Sequence, residues 1–434
     1  MSRYLIRREH FGATVYDPVS TGYFFLNRSQ YSILAEVNSW PVEDTQPTPP
    51  GDDPSQGRFD ELFDGHGKIR WIYKDSYTPL PKDCLLAPVR VYFELTTRCN
   101  GTCRYCLNNS GTRIREPELT TNEAFQVIKT LGRDGVFEVR LTGGEVTLRA
   151  DFFDLAQEVR TQSMALSINS NLLLGQEKIK RLIDLQPDLL ITSLDASERA
   201  HISTRGPGYD RIKHNVKTLR EAEVPVRLNC LLSTETLPDL SEFIDYFAAL
   251  GCGFCFILER PVGRAGYQFN PPPLSDLIVA ARLVEAKRLQ WPEIYFNTSF
   301  HVVMDHDLIL DGIDLTGCNA IQKSFNINSD GQILPCAFLY EMEPVKFSLG
   351  NVRDYNYSVL PIWRTSPLLR QLRNESAECN RRCISCNHFH DSCLGSCIMM
   401  SMYAQHTGQP DPYCRLSQQA HDELSREVPN VPKA

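Results

Sequence analysis

The chain has 434 residues, with 45 lysines and arginines against 53 aspartates and glutamates, a formal charge of -8, and 42% apolar residues. That length supports two or three domains, and an acidic balance without long runs of one sign speaks against nucleic acid and anionic membranes as partners. No stretch approaches the roughly 18 apolar residues of a membrane span, and residues 1–10 lack an apolar signal segment, so a reduced, cytoplasmic protein is expected. In that setting 15 cysteines, an odd and clustered number, point to metal rather than to a disulfide framework.

Residues 1–80 read as a small α+β unit. Ala13–Asp17 and Gly22–Leu26 are strand-like runs flanking the turn that starts at Pro18, a hairpin pattern. Ser29 is expected to cap a helix carrying Tyr31, Leu34, Ala35 and Val37, before a Pro/Asp/Gly/Ser-rich linker from Pro41 to Gly57.

From Pro88 to Glu259 short apolar strands alternate with amphipathic helices, the pattern of a parallel α/β sheet. The strand candidates are Val89–Thr96, Val136–Leu141, Ala165–Asn169, Leu189–Leu194, Val226–Leu232 and Gly253–Leu258. Thr120 and Glu123 form a capping box ahead of Ala124, Val127, Ile128 and Leu131, and further helices centre near Leu155, Ile179, Val216 and Phe243.

Chemistry-bearing residues fall at the expected strand ends. Cys99, Cys103 and Cys106 crowd a polar loop after the first strand; zinc ordinarily takes four ligands, whereas three thiolates suit an iron-sulfur cluster with one iron left open. Gly143, Gly144 and Glu145 follow the second strand, where glycines permit close approach and a carboxylate can hold an ammonium group. Asn169, Ser170 and Asn171 end the third strand, Ser193 and Asp195 the fourth, and Arg205 follows shortly after. The Arg- and Gly-rich stretch Glu259–Gly266 is either a loop closing over a ligand at the mouth or a solvated surface loop. Cys84, Cys230, Cys252 and Cys255 read as core thiols.

Between residues 305 and 434 a second cysteine array appears: Cys318, Cys336, Cys383, Cys386, Cys393, Cys397 and Cys414. Cys383, Cys386, Cys393 and Cys397 alone would suit a zinc ribbon, which leaves the other three without a role.

The C-x3-C-x2-C spacing, with Tyr105 before the last cysteine, resembles the radical S-adenosylmethionine (SAM) family, and the downstream array resembles its SPASM extension. The resemblance implies a partial (β/α)6 barrel over residues 81–304 and a SPASM domain over 305–434. It also implies three [4Fe-4S] clusters, one of which binds SAM and splits it to a 5′-deoxyadenosyl radical. By that likeness Tyr105, Gly143, Gly144, Glu145, Asn169, Ser170, Ser193 and Arg205 contact SAM, with Glu145 at its amino group and Arg205 near its carboxylate. Asn171 departs from the glycine more common there. Cys318, Cys336 and Cys397 would hold the first auxiliary cluster, and Cys383, Cys386, Cys393 and Cys414 the second. The fourth ligand of the first is open, with Cys379, Asp311 and Asp314 as alternatives, and the Cys386–Cys393 gap is one residue longer than usual.

Residues 1–80 resemble precursor-recognition domains, which bind a leader peptide as an added strand. The implied activity is oxidation of a core residue in a ribosomally made precursor peptide, by crosslinking, decarboxylation or backbone excision, with flavodoxin or ferredoxin as reductant. Alternatives are a peptide epimerase, a maturase of folded proteins such as sulfatases, and a zinc-binding scaffold.

Overall fold

The computed structural model describes residues 4–18, 20–37, 69–71, 81–112, 115, 117–267, 269–298, 309–310, 313–314, 318–384, 397–408 and 411–414. The N-terminal sheet comprises β1 (Tyr4–Glu9), β2 (Gly12–Asp17), β3 (Gly22–Asn27) and β4 (Ile69–Trp71), ordered β3-β2-β1-β4. The β1 strand was hidden in the sequence by Arg7, Arg8 and Glu9, which break apolar alternation. Folding buries two of them together: Arg7 donates to Glu9 at 2.6 Å and to the carbonyls of Ala87, Pro88 and Gly135 at 2.8, 3.2 and 2.8 Å. A buried ion pair is tolerable only when its remaining donors are satisfied in this way.

The helix Arg28–Val37 follows β3 directly, and its cap is Asn27 rather than the expected Ser29. Asn27 Oδ1 accepts from the Gln30 amide and Gln30 Oε1 from the Asn27 amide, both at 2.9 Å, a reciprocal capping box. Tyr4, Ile6, Ala13, Val15 and Leu26 pack under this helix on one face of the sheet. Leu5, Phe11, Tyr16 and Phe25, on the other face, join the main core instead. Tyr16 stacks on Phe137 at 5.8 Å and donates to Glu138 at 2.7 Å, which fixes the N-terminal sheet at the strand-start end of the barrel. The linker at Pro41–Gly57 and the boundary near residue 80 lie outside the described residues.

The large sheet has the order β11-β10-β9-β8-β7-β6-β5-β14-β15. Its centre is the six expected strands: β5 (Arg90–Glu94), β6 (Glu138–Thr142), β7 (Ala165–Asn169), β8 (Leu189–Ser193), β9 (Val226–Leu231) and β10 (Gly253–Ile257), all parallel. Parallel strands β11 (Phe296–Thr298) and β14 (Ser324–Ile327) extend it on either side, with a short hairpin of β12 (Ile309–Leu310) and β13 (Ile313–Asp314) between them in sequence. Because β14 pairs with β5, and the antiparallel β15 (Ile333–Leu334) follows, the cysteine-rich third is built onto the barrel sheet itself.

Thr121–Arg133 begins with the expected capping box, and Phe152–Thr161, Gln176–Leu185, Tyr209–Glu221 and Leu240–Ala249 match the expected helices. A short helix, Glu198–Arg205, was not expected. Alternate strand residues such as Val91, Phe93, Val139, Leu141 and Leu228 enter the apolar core. The opposite set, Tyr92, Glu138, Arg140, Ser167, Arg227 and Asn229, therefore faces the lumen, which is polar. Among the described residues no helix is long and apolar enough to cross a membrane.

Candidate active site

A cavity opens at the carboxyl ends of the parallel strands, where barrel chemistry is ordinarily placed. Cys99, Cys103 and Cys106 line it together with Gly143, Gly144, Asn169, Ser170, Ser193 and Arg205. Tyr105 and Glu145 of the expected set stand behind its wall. Burial pushes the Cys99 and Cys103 thiols up, while N–H groups point at sulfur: Gly101 to Cys99 at 3.3 Å and Ser110 to Cys106 at 3.4 Å. Among the described residues no three His, Cys, Asp or Glu side chains are drawn closely enough together to hold an ion unaided. The three thiols instead line the cavity, a soft donor set that fits a cluster with one open corner.

Gly143 and Gly144, which line the cavity, also pack tightly against backbone. A Cβ on Gly144 would stand 2.2 Å from the Arg98 carbonyl oxygen and one on Gly143 2.4 Å from that of Thr96. The Gly144 and Glu145 amides donate to those same oxygens, on Thr96 and Arg98, at 2.8 Å each. The motif therefore zips the second strand end to the root of the cysteine loop.

Glu145 is fully buried, and its carboxylate is already surrounded by donors. It accepts from the Thr147 hydroxyl at 2.8 Å, from Ser170 Oγ at 3.0 Å and from the Asn171 amide at 2.7 Å. Burial pushes its pKa up even so. This geometry makes Glu145 a brace that fixes Ser170 and Asn171 against the cavity.

Arg205 ends the helix Glu198–Arg205 and forks onto Asp195 at 2.9 and 3.2 Å. Asp195 also accepts from the Leu231 amide at 3.0 Å, from the Tyr105 hydroxyl at 3.4 Å and from Thr204. Tyr105 lies under the guanidinium, 4.8 Å from its ring centroid. Burial alone would lower the Arg205 pKa, but Asp195 outweighs it and keeps the charge locked in place.

Sequence reasoning missed His201, Asn229 and Ser110 here. His201 is buried at the cavity, its pKa lowered to about 4 by burial and by Arg205, so it is neutral. Asn229 and Ser110 line the same space. The Asn229 and Asn169 Oδ1 atoms and Ser110 Oγ are buried without partners among the described residues. Orphaned acceptors of this kind suit a ligand carrying ammonium and hydroxyl donors, as SAM does. Arg264 belongs to the Arg/Gly stretch, which clamps the cysteine loop: its side chain donates to the Cys103 carbonyl at 2.8 Å and Asn109 Oδ1 at 2.9 Å, and its amide to the Cys106 carbonyl at 3.0 Å. Gly263, at φ 63°, makes that approach possible, because a Cβ there would lie 2.2 Å from the Leu107 oxygen. Spacing to a distant loop gave no signal of this contact.

Farther on, Cys318, Cys336 and Cys397 each occupy the N-cap position of a helix, Asn319–Gln322, Ala337–Met342 and Ile398–Thr407 respectively. Burial, then the neighbouring thiols, push Cys318 up to about 12, and burial with Cys397 pushes Cys336 up to about 11, so the three share one neighbourhood. Cys414 is described, following Tyr413, whose hydroxyl donates to the Glu259 carbonyl at 2.7 Å. Cys386, Cys393 and Asp311, and the side chains of Cys379, Cys383 and Asp314, lie outside the described residues. Cys84, Cys230 and Cys252 lie in the apolar core, their thiols raised by burial, whereas Cys255 is half-buried and, alternating with Phe254 and Phe256, faces the lumen instead of the core.

Comparison with known proteins agrees with this geometry. The radical SAM superfamily model matches residues 93–247, and the SPASM model, an iron-sulfur cluster-binding domain, matches 318–387. The chain is 27% identical to the mycofactocin maturase MftC of Mycolicibacterium smegmatis over 76% of its own length and 83% of the relative. It is 25% identical to the AdoMet-dependent heme synthase of Methanosarcina barkeri, covering 76% of this chain and 96% of that protein. The crystal structure of Streptococcus suis SuiB bound to precursor peptide SuiA superposes with a TM-score of 0.67 at 17% identity, over 92% of this chain and 95% of SuiB. With both domain models in place and their cysteines at the mouth of the barrel and on its SPASM extension, the chain belongs to the radical SAM superfamily, as a SAM-dependent iron-sulfur enzyme of the SPASM subfamily.

Proposed function

We propose that the protein matures a ribosomally synthesised precursor peptide, oxidising a residue of its core segment. The observation that carries this reading is the N-terminal sheet, with β3 at one end of its strand order, anchored to the barrel through Arg7 and Tyr16. A sheet edge can take an extended leader as an added strand, which gives backbone affinity with modest side-chain selectivity. The names of MftC, a maturase, and of the SuiB complex with a precursor peptide favour the same assignment. The heme synthase relative shows that the family's substrates are not all peptides in name, and the N-terminal sheet is what favours a peptide here.

Cys99, Cys103 and Cys106 would hold the SAM-binding cluster, and Cys318, Cys336 and Cys397 a first auxiliary cluster. With Cys383, Cys386, Cys393 and Cys414 holding a second, the total is three [4Fe-4S] clusters, reduced by a small carrier such as flavodoxin or ferredoxin. Bound SAM supplies the hydrogen-abstracting radical. The protein orients it: Arg205, fixed by Asp195 and Tyr105, presents a rigid cation, and Glu145 fixes Ser170 and Asn171 in the same lining. Neutral His201 and the orphaned Asn169 and Asn229 oxygens complete a polar lining without adding charge.

Anaerobic incubation of reconstituted enzyme with SAM, reductant and the short peptide encoded beside its gene tests the reading. A mass change in the core segment, located by tandem mass spectrometry and suppressed by an excess of the leader segment alone, is expected. An unmodified peptide alongside normal SAM cleavage would contradict it.

A further inference from the structure

Among the described residues, the lumen beneath the SAM-cluster cavity holds more positive charge than its carboxylates neutralise. Glu138 is the common acceptor for Arg90 and, at 2.8 Å, for Arg140, with Tyr16 and Ser167 donating to it at 2.7 Å each. Arg227 stands on β9 facing the same lumen, two residues before the cavity-lining Asn229, and is 6% exposed. Among the described residues its side chain makes no ion pair or hydrogen bond, and its Nε is buried and orphaned. The Tyr295 ring lies 5.9 Å from the guanidinium. Burial and the repulsion of Arg140 lower its pKa, and Cys255 and Tyr295 only partly oppose this. Arg140 Nε is orphaned as well, and its guanidinium lies over Tyr92 at 5.1 Å. Burial would raise the Tyr92 pKa, but Arg140 and Arg90 override it and leave the phenol lowered.

A buried guanidinium with no carboxylate is unfavourable in an otherwise satisfied fold and is retained where an anion completes it. The planar fork of arginine matches a carboxylate in two hydrogen bonds. We propose that Arg227, with Arg140 beside it, forms a carboxylate subsite in the barrel lumen that anchors the substrate below the reacting carbon. The source is either an acidic side chain of the core peptide or its C-terminal carboxylate. This deepens the peptide-maturation reading and rests on it for the identity of the substrate, while the anion site stands on the lumen alone.

The test uses the anaerobically reconstituted full chain with saturating SAM, so that Arg205 is already covered. Sodium formate, exchanged for sodium chloride at constant ionic strength, is the probe, read by thermal unfolding. Wild type should gain Tm saturably with formate, whereas R227Q should not respond. If R227Q fails to fold, R227K keeps a cation without the fork and should need several-fold more formate. Equal formate responses in wild type and either folded variant overturn the subsite.

In turnover, R227Q should release 5′-deoxyadenosine without peptide at the wild-type rate, while its KM for the peptide encoded beside the gene rises roughly tenfold or more, the order of a lost buried polar contact. Amidation of the peptide C-terminus should reproduce that rise if the terminus is the anchor; replacement of core Asp and Glu by Asn and Gln should do so if a side chain is. An R227Q KM equal to wild type would overturn the substrate role. A peptide that wild type does not process defeats the maturation reading and leaves the formate result standing by itself.

Discussion

Asp195 Oδ2 accepts from Arg205 Nε at 2.9 Å and Asp195 Oδ1 from Arg205 Nη2 at 3.2 Å, with both side chains buried behind the cysteine loop. This fork fixes the one cation of the cavity wall that the sequence had marked for a ligand carboxylate. D195N should therefore weaken SAM binding as strongly as R205M, although Asp195 does not line the cavity. It should also cost about 3 kcal/mol of stability, the usual result of stranding one partner of a buried pair. Isothermal titration with SAM and chemical denaturation read the two effects, and a D195N variant with wild-type SAM affinity would show that Arg205 needs no such support.

Glu145 yields a sharper contrast. If it acts as the brace described, E145Q places an amide NH2 against Ser170, Thr147 and the Asn171 amide, all of them donors to the native carboxylate, and should lower stability by roughly 1–3 kcal/mol. SAM affinity should fall together with Tm. A loss of SAM binding with Tm unchanged would instead place Glu145 at the ligand's ammonium group.

His201 provides a pH signature. Its folded pKa, about 4, lies below the ordinary value of 6.5, because burial and then Arg205 disfavour its charged form. The unfolded chain therefore binds the proton first, so stability is fully present above pH 6.5 and is lost as pH falls toward 4. At about 1.4 kcal/mol per unit the loss approaches about 3 kcal/mol. The carboxylates held low by ion pairs, Glu123 and Glu138, titrate only below their ordinary value of 4.5. H201Q should consequently flatten the stability profile between pH 6.5 and 5, and an unaltered slope in urea titrations would refute the assignment.

Arg264 ties the Arg/Gly stretch to the Cys103 carbonyl and to Asn109. R264M should loosen the cysteine loop and reduce iron and sulfide retained after desalting, with R264K intermediate. Retention equal to wild type would mean that the clamp is incidental.

Much of this was legible beforehand because period-2 alternation and helix caps are local properties. All six central strands, the Thr120–Glu123 capping box and the placement of Cys99, Gly143, Asn169 and Ser193 at strand ends were readable from the chain. What stayed hidden depends on long-range partners. The β1 strand was masked because Arg7 is charged yet buried, a state made possible by carbonyls some eighty or more residues away. Gly143 and Gly144 were read as glycines of close approach, but spacing cannot tell whether a glycine admits a ligand or a neighbouring backbone, and the backbone packed against both is Thr96–Arg98. Asn229 and His201 carry no motif, and only the fold brings them to the cavity, while the Arg/Gly stretch was placed at the mouth without any signal that Arg264 would hold the Cys103 carbonyl. The second auxiliary cysteines, Cys383, Cys386 and Cys393, rest on spacing alone.

The most direct test of the central claim is SAM cleavage by anaerobically reconstituted wild type beside C103A and C336A. Wild type should contain iron with labile sulfide and release 5′-deoxyadenosine under reducing conditions. C103A should release none, because the SAM-binding cluster loses an anchor, while C336A should retain uncoupled cleavage and lose peptide product. Zinc without labile sulfide in wild type, or equal 5′-deoxyadenosine release from wild type and C103A, would contradict the account.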